Sequence, residues 1–164
     1  MALRWGFLRR HVNGHKTLLD YGTGPGAFLA SYSSSNFPPL VIDGYDINPH
    51  SPFYKPINKK WDVVTAFDVI EHMESPRDWI ESINPRLLVV LTPCIDALRL
   101  EPYRGGIQDW KHYKPGEHLH YFGAKSLSAL FRKCGYTVEG WDYAESANRN
   151  PENPRDLITM AASR

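Results

Sequence analysis

Leu18-Leu19-Asp20-Tyr21-Gly22-Thr23-Gly24-Pro25-Gly26-Ala27-Phe28-Leu29 joins a short aliphatic run to a glycine-rich turn and then to an apolar stretch of helical character. A buried strand that passes through a tight turn straight into a helix is the opening unit of a parallel α/β sheet. The glycines let the chain turn sharply and bring its backbone against a ligand with no Cβ in the way. Asp20 stands just before them, where its charge can orient the loop or receive an ammonium group. A phosphate-binding loop gains nothing from a carboxylate at that place.

Outward from this unit, residues 17–21, 40–46, 62–67 and 87–91 are short, nearly continuous aliphatic or β-branched runs, the pattern of strands buried on both faces. The second run ends in Asp46, suitably placed for a ribose because one carboxylate can accept hydrogen bonds from both hydroxyls. Asp43 is the competing carboxylate, and Gly44-Tyr45-Asp46 fits the pattern better. Residues 26–32 and 76–83 read as helices, the latter with Ser75 as N-cap, Pro76 at the first position and Asp78 in the first turn. Leu127, Leu130, Phe131 and Cys134 fall on one helix face before Gly135, which ends the helix. Two last strands, 136–143 and 157–162, flank the polar stretch 144–155 and predict an antiparallel hairpin. Between Asp46 and Trp61, residues 47–60 include Pro49, Pro52 and Pro56, too short and too rich in proline for a helix and a further strand. The expected fold is therefore α/β: a Rossmann-like doubly wound, mostly parallel sheet with a C-terminal antiparallel hairpin, lacking the third strand and its helix.

The 164 residues suit one domain, 1–164, with 42% hydrophobic and 23% charged residues in ordinary globular proportion. A net charge of +1 argues against a general nucleic-acid binder. The one concentration of cations, Arg4, Arg9, Arg10 and Lys16 with His11 and His15, lies in the N-terminal segment 1–16 and reads as a solvated amphipathic helix. Cys94 and Cys134 have no spacing that suggests a disulfide framework or zinc site, and two buried thiols fit a reducing compartment. No stretch approaches the roughly 20 apolar residues of a membrane span, so a cytoplasmic protein with no membrane partner is expected.

The blocks LLDYGTGPGAFL (18–29), GYDINP (44–49), WDVVTAFDVIEHM (61–73), LLVVLTP (87–93) and EHLHYFGAKSLSALFRKCGY (117–136) stand in the order of the class I S-adenosylmethionine (SAM)-dependent methyltransferases. The chain resembles that family over nearly its whole length, particularly the compact group related to ubiquinone-pathway methyltransferases. The resemblance implies SAM as cofactor. It implies that Gly22, Gly24 and Gly26 line it beside Asp20, that Asp46 holds its ribose, and that Phe67 and Asp68 lie at its methionine end. The adenine contacts usually supplied from the absent third strand would fall to Ile47, Asn48 or Phe53. A nicotinamide-dependent dehydrogenase would account for Asp46, but not for Asp20, FDVIEHM or the terminal hairpin.

Methyl transfer from a sulfonium is an in-line displacement, so the protein must align the acceptor and, where required, remove its proton. Asp68, Glu71 and His72 share a face if a helical turn starts there, and His118 and His120 can reach it from the later loop. Asp68, His118 and His120 are the candidate catalytic residues, the histidines as general base. Ubiquinone-pathway O-methyltransferases and small-RNA 2′-O-methyltransferases have a similar Glu-x-x-Glu-His arrangement. Here Asp68 replaces the first Glu with a shorter side chain, so a metal-free site is expected. Asp68, Glu71, His72 and His118 are the set that would hold a divalent ion. Residues 93–117, with Gly105-Gly106, Tyr103, Arg104, Trp110, Lys111, His112, Tyr113 and Lys114, read as a substrate lid. The expected acceptor is a small molecule, with a hydroxyl as the acceptor group; nucleic acid is the alternative acceptor. A noncatalytic SAM-binding partner module is the alternative to an enzyme.

Overall fold

The computed structural model describes residues 1–55, 57, 59–99 and 106–164. Its strands are β1 (Thr17–Tyr21), β2 (Val41–Tyr45), β3 (Val63–Phe67), β4 (Leu87–Pro93), β5 (Thr137–Asp142) and β6 (Leu157–Ser163). They form one sheet in the order β2-β1-β3-β4-β6-β5. The first four pair in parallel, and β6 enters antiparallel between β4 and β5. Every residue of β3 and β4 is buried, which explains why those two runs are unbroken by polar alternation.

Successive side chains of each strand point to opposite faces, so the sheet separates two cores. On one face Leu19, Val64, Leu88 and Val90 meet Trp79 and Ile80 of α3 (Pro76–Ile83) and Leu127 and Phe131 of α4 (Ala124–Lys133). On the other, Leu18, Val63, Val89 and Leu91 meet Trp5, Phe7 and Leu8 of α1 (Ala2–Arg9) and Phe28 of α2 (Ala27–Ala30). The Ser75 hydroxyl caps α3 through Asp78 N, and Asn84, at φ 40°, ends it. Gly135, at φ 80°, turns the chain out of α4.

The third strand and its helix are absent, as the prolines require: the described residues of 46–60 form only turns and bends. That leaves β2 as the outer strand, with Val41 61% exposed. Two expectations need correction. The N-terminal helix is not simply solvated, because Arg4, Trp5, Phe7 and Leu8 are buried: its apolar face covers the sheet. The link between β5 and β6 is not all loop either, since it contains α5 (Ala144–Arg149), whose Glu145 and Ser146 are buried. Among the described residues no helix is long and apolar enough to cross a membrane.

Gly22 sits at φ +74°, and a Cβ there would collide with Cγ2 of Val69. Gly22→Ala is expected to destabilise the fold by about 1–3 kcal/mol, since it combines a left-handed backbone with a clash. A urea unfolding curve checks this; an unchanged midpoint would remove the glycine requirement.

Candidate active site

The glycine loop is stitched to the end of β2. Gly22 N and Thr23 N both donate to the Tyr45 carbonyl, at 2.8 and 3.0 Å. Gly24 N donates to Asp46 Oδ2 at 2.7 Å, and Asn48 N to Asp46 Oδ1 at 2.8 Å. Asp46 thus holds the loop while keeping acceptor capacity, because each carboxylate oxygen can take a second hydrogen bond. The three glycines play different parts. Gly22 is packed by Val69 and Gly26 by the Phe53 ring, whereas a side chain at Gly24 would meet nothing within 4 Å. Gly24 is the point where the loop faces open space.

Asp20 is 3% exposed, and its Oδ1 accepts the Thr65 hydroxyl at 2.7 Å. Burial pushes its carboxyl up, and the Thr65 bond opposes that shift. Of the three residues named for the adenine side, Phe53 packs on Gly26 and Gly44, and Asn48 caps His50 N at 3.0 Å. Ile47 is 75% exposed, directly after Asp46.

A candidate site residue that sequence reasoning missed lies in α1. Arg4 is buried, with Nε 3.3 Å from Glu145 Oε1, Nη2 3.5 Å from Asp68 Oδ2, and its guanidinium 4.5 Å from the Phe67 ring centroid. Its charge also acts on Asp20. Residues expected at the methionine end of a SAM molecule, Asp20, Phe67 and Asp68, therefore surround one cation. The signal in the sequence was faint: Arg4 sits beside Trp5 in a short apolar helix, while its partner Glu145 is 141 positions away.

The chain after β3 bends sharply. Asp68 adopts φ 60°, its N–H bonded to the Leu91 carbonyl at 2.8 Å, and Ile70–His72 forms a single 3-10 turn. Asp68 stays outside the converging set and pairs with Arg4 and, at 3.8 Å, with Arg149, although its charge still acts on Glu71. The expected four-residue set is thus reduced, yet three of its members converge. Donor atoms of Glu71, His72 and His118 all lie within 4.8 Å of one another. Around a single divalent ion, ligand atoms held by bonds of about 2.0–2.2 Å stand about 3–4 Å apart, so small side-chain shifts close this set.

Hydrogen bonding prepares the three groups. His72 Nδ1 lies 2.8 Å from the Glu117 carbonyl and His118 Nδ1 2.9 Å from the His112 carbonyl. A carbonyl only accepts, so Nδ1 carries the proton in both rings, and in the neutral form of each ring Nε2 is the nitrogen with a free lone pair. Glu71 is 1% exposed; its Oε2 accepts the Thr92 hydroxyl at 2.9 Å, but Oε1 has no hydrogen-bond partner among the described residues. His72 Nε2 stands 4.0 Å from that oxygen. Burial pushes the Glu71 carboxyl well above the usual carboxylate range and lowers His118, on which the His72 charge acts in the same direction. His120 is not part of the cluster: its Nε2 faces the Glu74 carbonyl at 3.4 Å and its ring stacks on Phe122.

The segment read as a lid is strapped down over much of its described length. Pro93 still belongs to β4, and Ile95–Arg99 forms a 3-10 turn. Trp110, expected to face substrate, is 1% exposed and donates Nε1–H to Asp156 at 2.8 Å, where Lys111 also pairs at 2.8 Å. Burial lowers His112 to about 4. Tyr103, Arg104 and Gly105 lie outside the described residues.

A family model described as a methyltransferase domain matches residues 7–140. No protein of curated function matches the chain by sequence. Solved structures that share the fold include the small RNA methyltransferase HEN1, at 19% identity and TM-score 0.64, covering 99% of this chain and 25% of that one. This chain therefore spans about a quarter of the HEN1 chain. A second is the complex between the Haloferax volcanii Trm112 methyltransferase activator and a methyltransferase, at 13% identity and TM-score 0.66, covering 99% and 88%. A third is an O-methyltransferase family protein from Burkholderia thailandensis, at 15% identity and TM-score 0.66, covering 99% and 56%.

Proposed function

Because the chain belongs to the methyltransferase domain family, we propose that it transfers a methyl group from SAM to a hydroxyl of its acceptor, with a divalent ion at Glu71, His72 and His118. The observation that carries the reading is the buried Glu71 carboxylate, whose Oε1 has no hydrogen-bond partner among the described residues and one oxygen of which lies within 4.8 Å of a ring nitrogen each of His72 and His118. A buried carboxylate oxygen without a partner is costly unless a ligand completes it. This departs from the expectation of a metal-free site, and Asp68 is left out of the set because Arg4 and Arg149 hold it.

Gly24 and Asp46 face the ribose, Ile47 the adenine, and Arg4 with Asp20 the zwitterionic methionine end. When bound, SAM supplies an electrophilic methyl group, and a divalent ion supplies the Lewis acidity that makes a hydroxyl lose its proton near neutral pH. The residues of the chain do the positioning: Glu71 and the two histidines fix the direction of the acceptor oxygen, and the Glu117 and His112 carbonyls fix the imidazoles. Without an ion, His118 Nε2 is the base, since the His112 carbonyl already occupies Nδ1. A hydroxyl is the acceptor that such an ion would serve, since coordination lowers the pKa of an oxygen acid.

Calorimetry with S-adenosylhomocysteine tests the cofactor reading. Asp46→Ala is expected to weaken that binding by about 1.5–3 kcal/mol through loss of charge-assisted hydrogen bonds. Undiminished affinity would reject Asp46 as the ribose ligand. Titration of the wild-type chain with manganese tests the ion; a heat signal unaltered by Glu71→Gln would refute the proposed ligand set.

A further inference from the structure

β4 leads from the Glu71 site into a second cavity. Thr92 holds Glu71, and two residues on, Cys94 forms a parallel bridge with Phe122. Beyond it a cavity of ≈ 460 Å³ is lined in part by Asp96, Arg99, Lys125, Trp141, Tyr143 and Arg155. That volume falls among small-molecule sites, which run from about 300 to 1,000 Å³. β4 and β5 both pair antiparallel with β6 and so run in the same direction. The Asp142 end of β5 therefore opens on the same side of the sheet as the Pro93 end of β4, the side that carries the candidate active site.

The chemistry of the lining is specific. Trp141 is 50% exposed, whereas Trp5, Trp61, Trp79 and Trp110 are exposed by 3%, 6%, 7% and 1%. An indole left half in water beside a cavity offers a stacking face. Arg99, Lys125 and Arg155 are exposed, and among the described residues none pairs with a carboxylate. Arg155 lies 5.7 Å from the Tyr143 ring centroid. The one acid of the lining, Asp96, is turned inward: its Oδ2 accepts Ala124 N at 2.9 Å and faces Cys94 Sγ at 3.7 Å. Three cations against one hydrogen-bonded carboxylate, with a stacking ring, fit a ligand that joins a planar ring to a strong anion.

We propose that this cavity holds a nucleotide unit of the acceptor, its base stacked on Trp141 and its phosphate among Arg99, Lys125 and Arg155. The assignment rests on the methyl-transfer reading above and names the chemical class of that acceptor. A nucleotide reaches the cavity either as a free mononucleotide or as one unit of an oligonucleotide, and the contacts are the same in both.

Trp141 is itself the probe. With S-adenosylhomocysteine saturating the cofactor site, uridine monophosphate is expected to quench tryptophan fluorescence along a saturable curve, and Trp141→Phe to abolish the quench. Uridine alone, or the Arg99→Glu/Lys125→Glu double variant with uridine monophosphate, is expected to need at least about tenfold more ligand. A 5′-phosphorylated uridine trinucleotide separates the sources: tenfold tighter binding than the monophosphate assigns an oligonucleotide, and equal binding a mononucleotide. A quench that fails to saturate, survives Trp141→Phe or ignores the double variant overturns the proposal, while the calorimetric binding of S-adenosylhomocysteine leaves the methyl-transfer reading standing. Failure of S-adenosylhomocysteine itself to bind overturns both.

Discussion

Manganese at a hundredfold excess over its dissociation constant is expected to stabilise the wild-type chain by about 2.7 kcal/mol and to leave Glu71→Gln unmoved. The metal-free proteins should show the opposite order. Glu71 is a carboxyl whose folded-state pKa lies above its unfolded value, so the folded state binds more protons and its stability falls as pH rises from the unfolded pKa of 4.5 through the folded one. At neutral pH the apo wild type therefore carries a penalty that Gln, neutral at every pH, does not. The Thr92 hydroxyl can still donate to the amide oxygen of Gln, so the substitution leaves that contact in place. Thermal unfolding with and without manganese reads both signs at once. A Glu71→Gln variant that melts below the apo wild type at pH 7.5 would contradict the raised carboxyl, and one that still responds to manganese would contradict the ion site.

Arg4→Met is the second large effect. The substitution keeps much of the stem volume and removes the guanidinium, leaving Glu145 buried and one cation short. Breaking a buried pair costs about 3–5 kcal/mol, and the low end applies here because Arg149 Nε still holds Glu145 Oε2 at 2.8 Å. Asp68 adds little to the stability loss, its side chain being 43% exposed. Urea unfolding of Arg4→Met, Glu145→Gln and the double variant separates the pair from the cavity. The double variant should regain part of the loss, and strict additivity would argue that the two residues do not communicate. Calorimetry on the same proteins should show S-adenosylhomocysteine weakened by Arg4→Met more than by Glu145→Gln, since the proposed contact with the ligand's carboxylate is made by Arg4.

The strands were legible because burial on both faces leaves unbroken aliphatic runs: residues 62–67 and 87–91 became β3 and β4 with boundaries moved by two residues at most. Ser75 followed by Pro76 fixed the start of α3, and the prolines of 47–60 announced the missing strand. What escaped has a common cause. Arg4 and Glu145 stand at opposite ends of the chain, and only the closed sheet brings α1 against α5. Asp68 looked equivalent to Glu71 by spacing, but that reading assumed an α-helical turn; a left-handed residue followed by a 3-10 turn stands there, and Asp68 pairs with Arg4 and Arg149 instead. His118 and His120 were indistinguishable within Glu-His-Leu-His-Tyr-Phe, residues 117–122. The carbonyl of His112, which holds one and not the other, belongs to a segment with no regular pattern.

The outermost position of β2 has a consequence for how the molecule behaves in company. One side of this strand offers its backbone N–H and C=O groups to whatever approaches, and an uncovered row of this kind can template the addition of a foreign strand. Its guard is slight: Val41 is exposed, and the strand's one charge, Asp43, is tied to Lys55 from the shortened connection. Concentrated solutions should therefore aggregate through this edge first, and a lysine at Val41 would keep the chains apart.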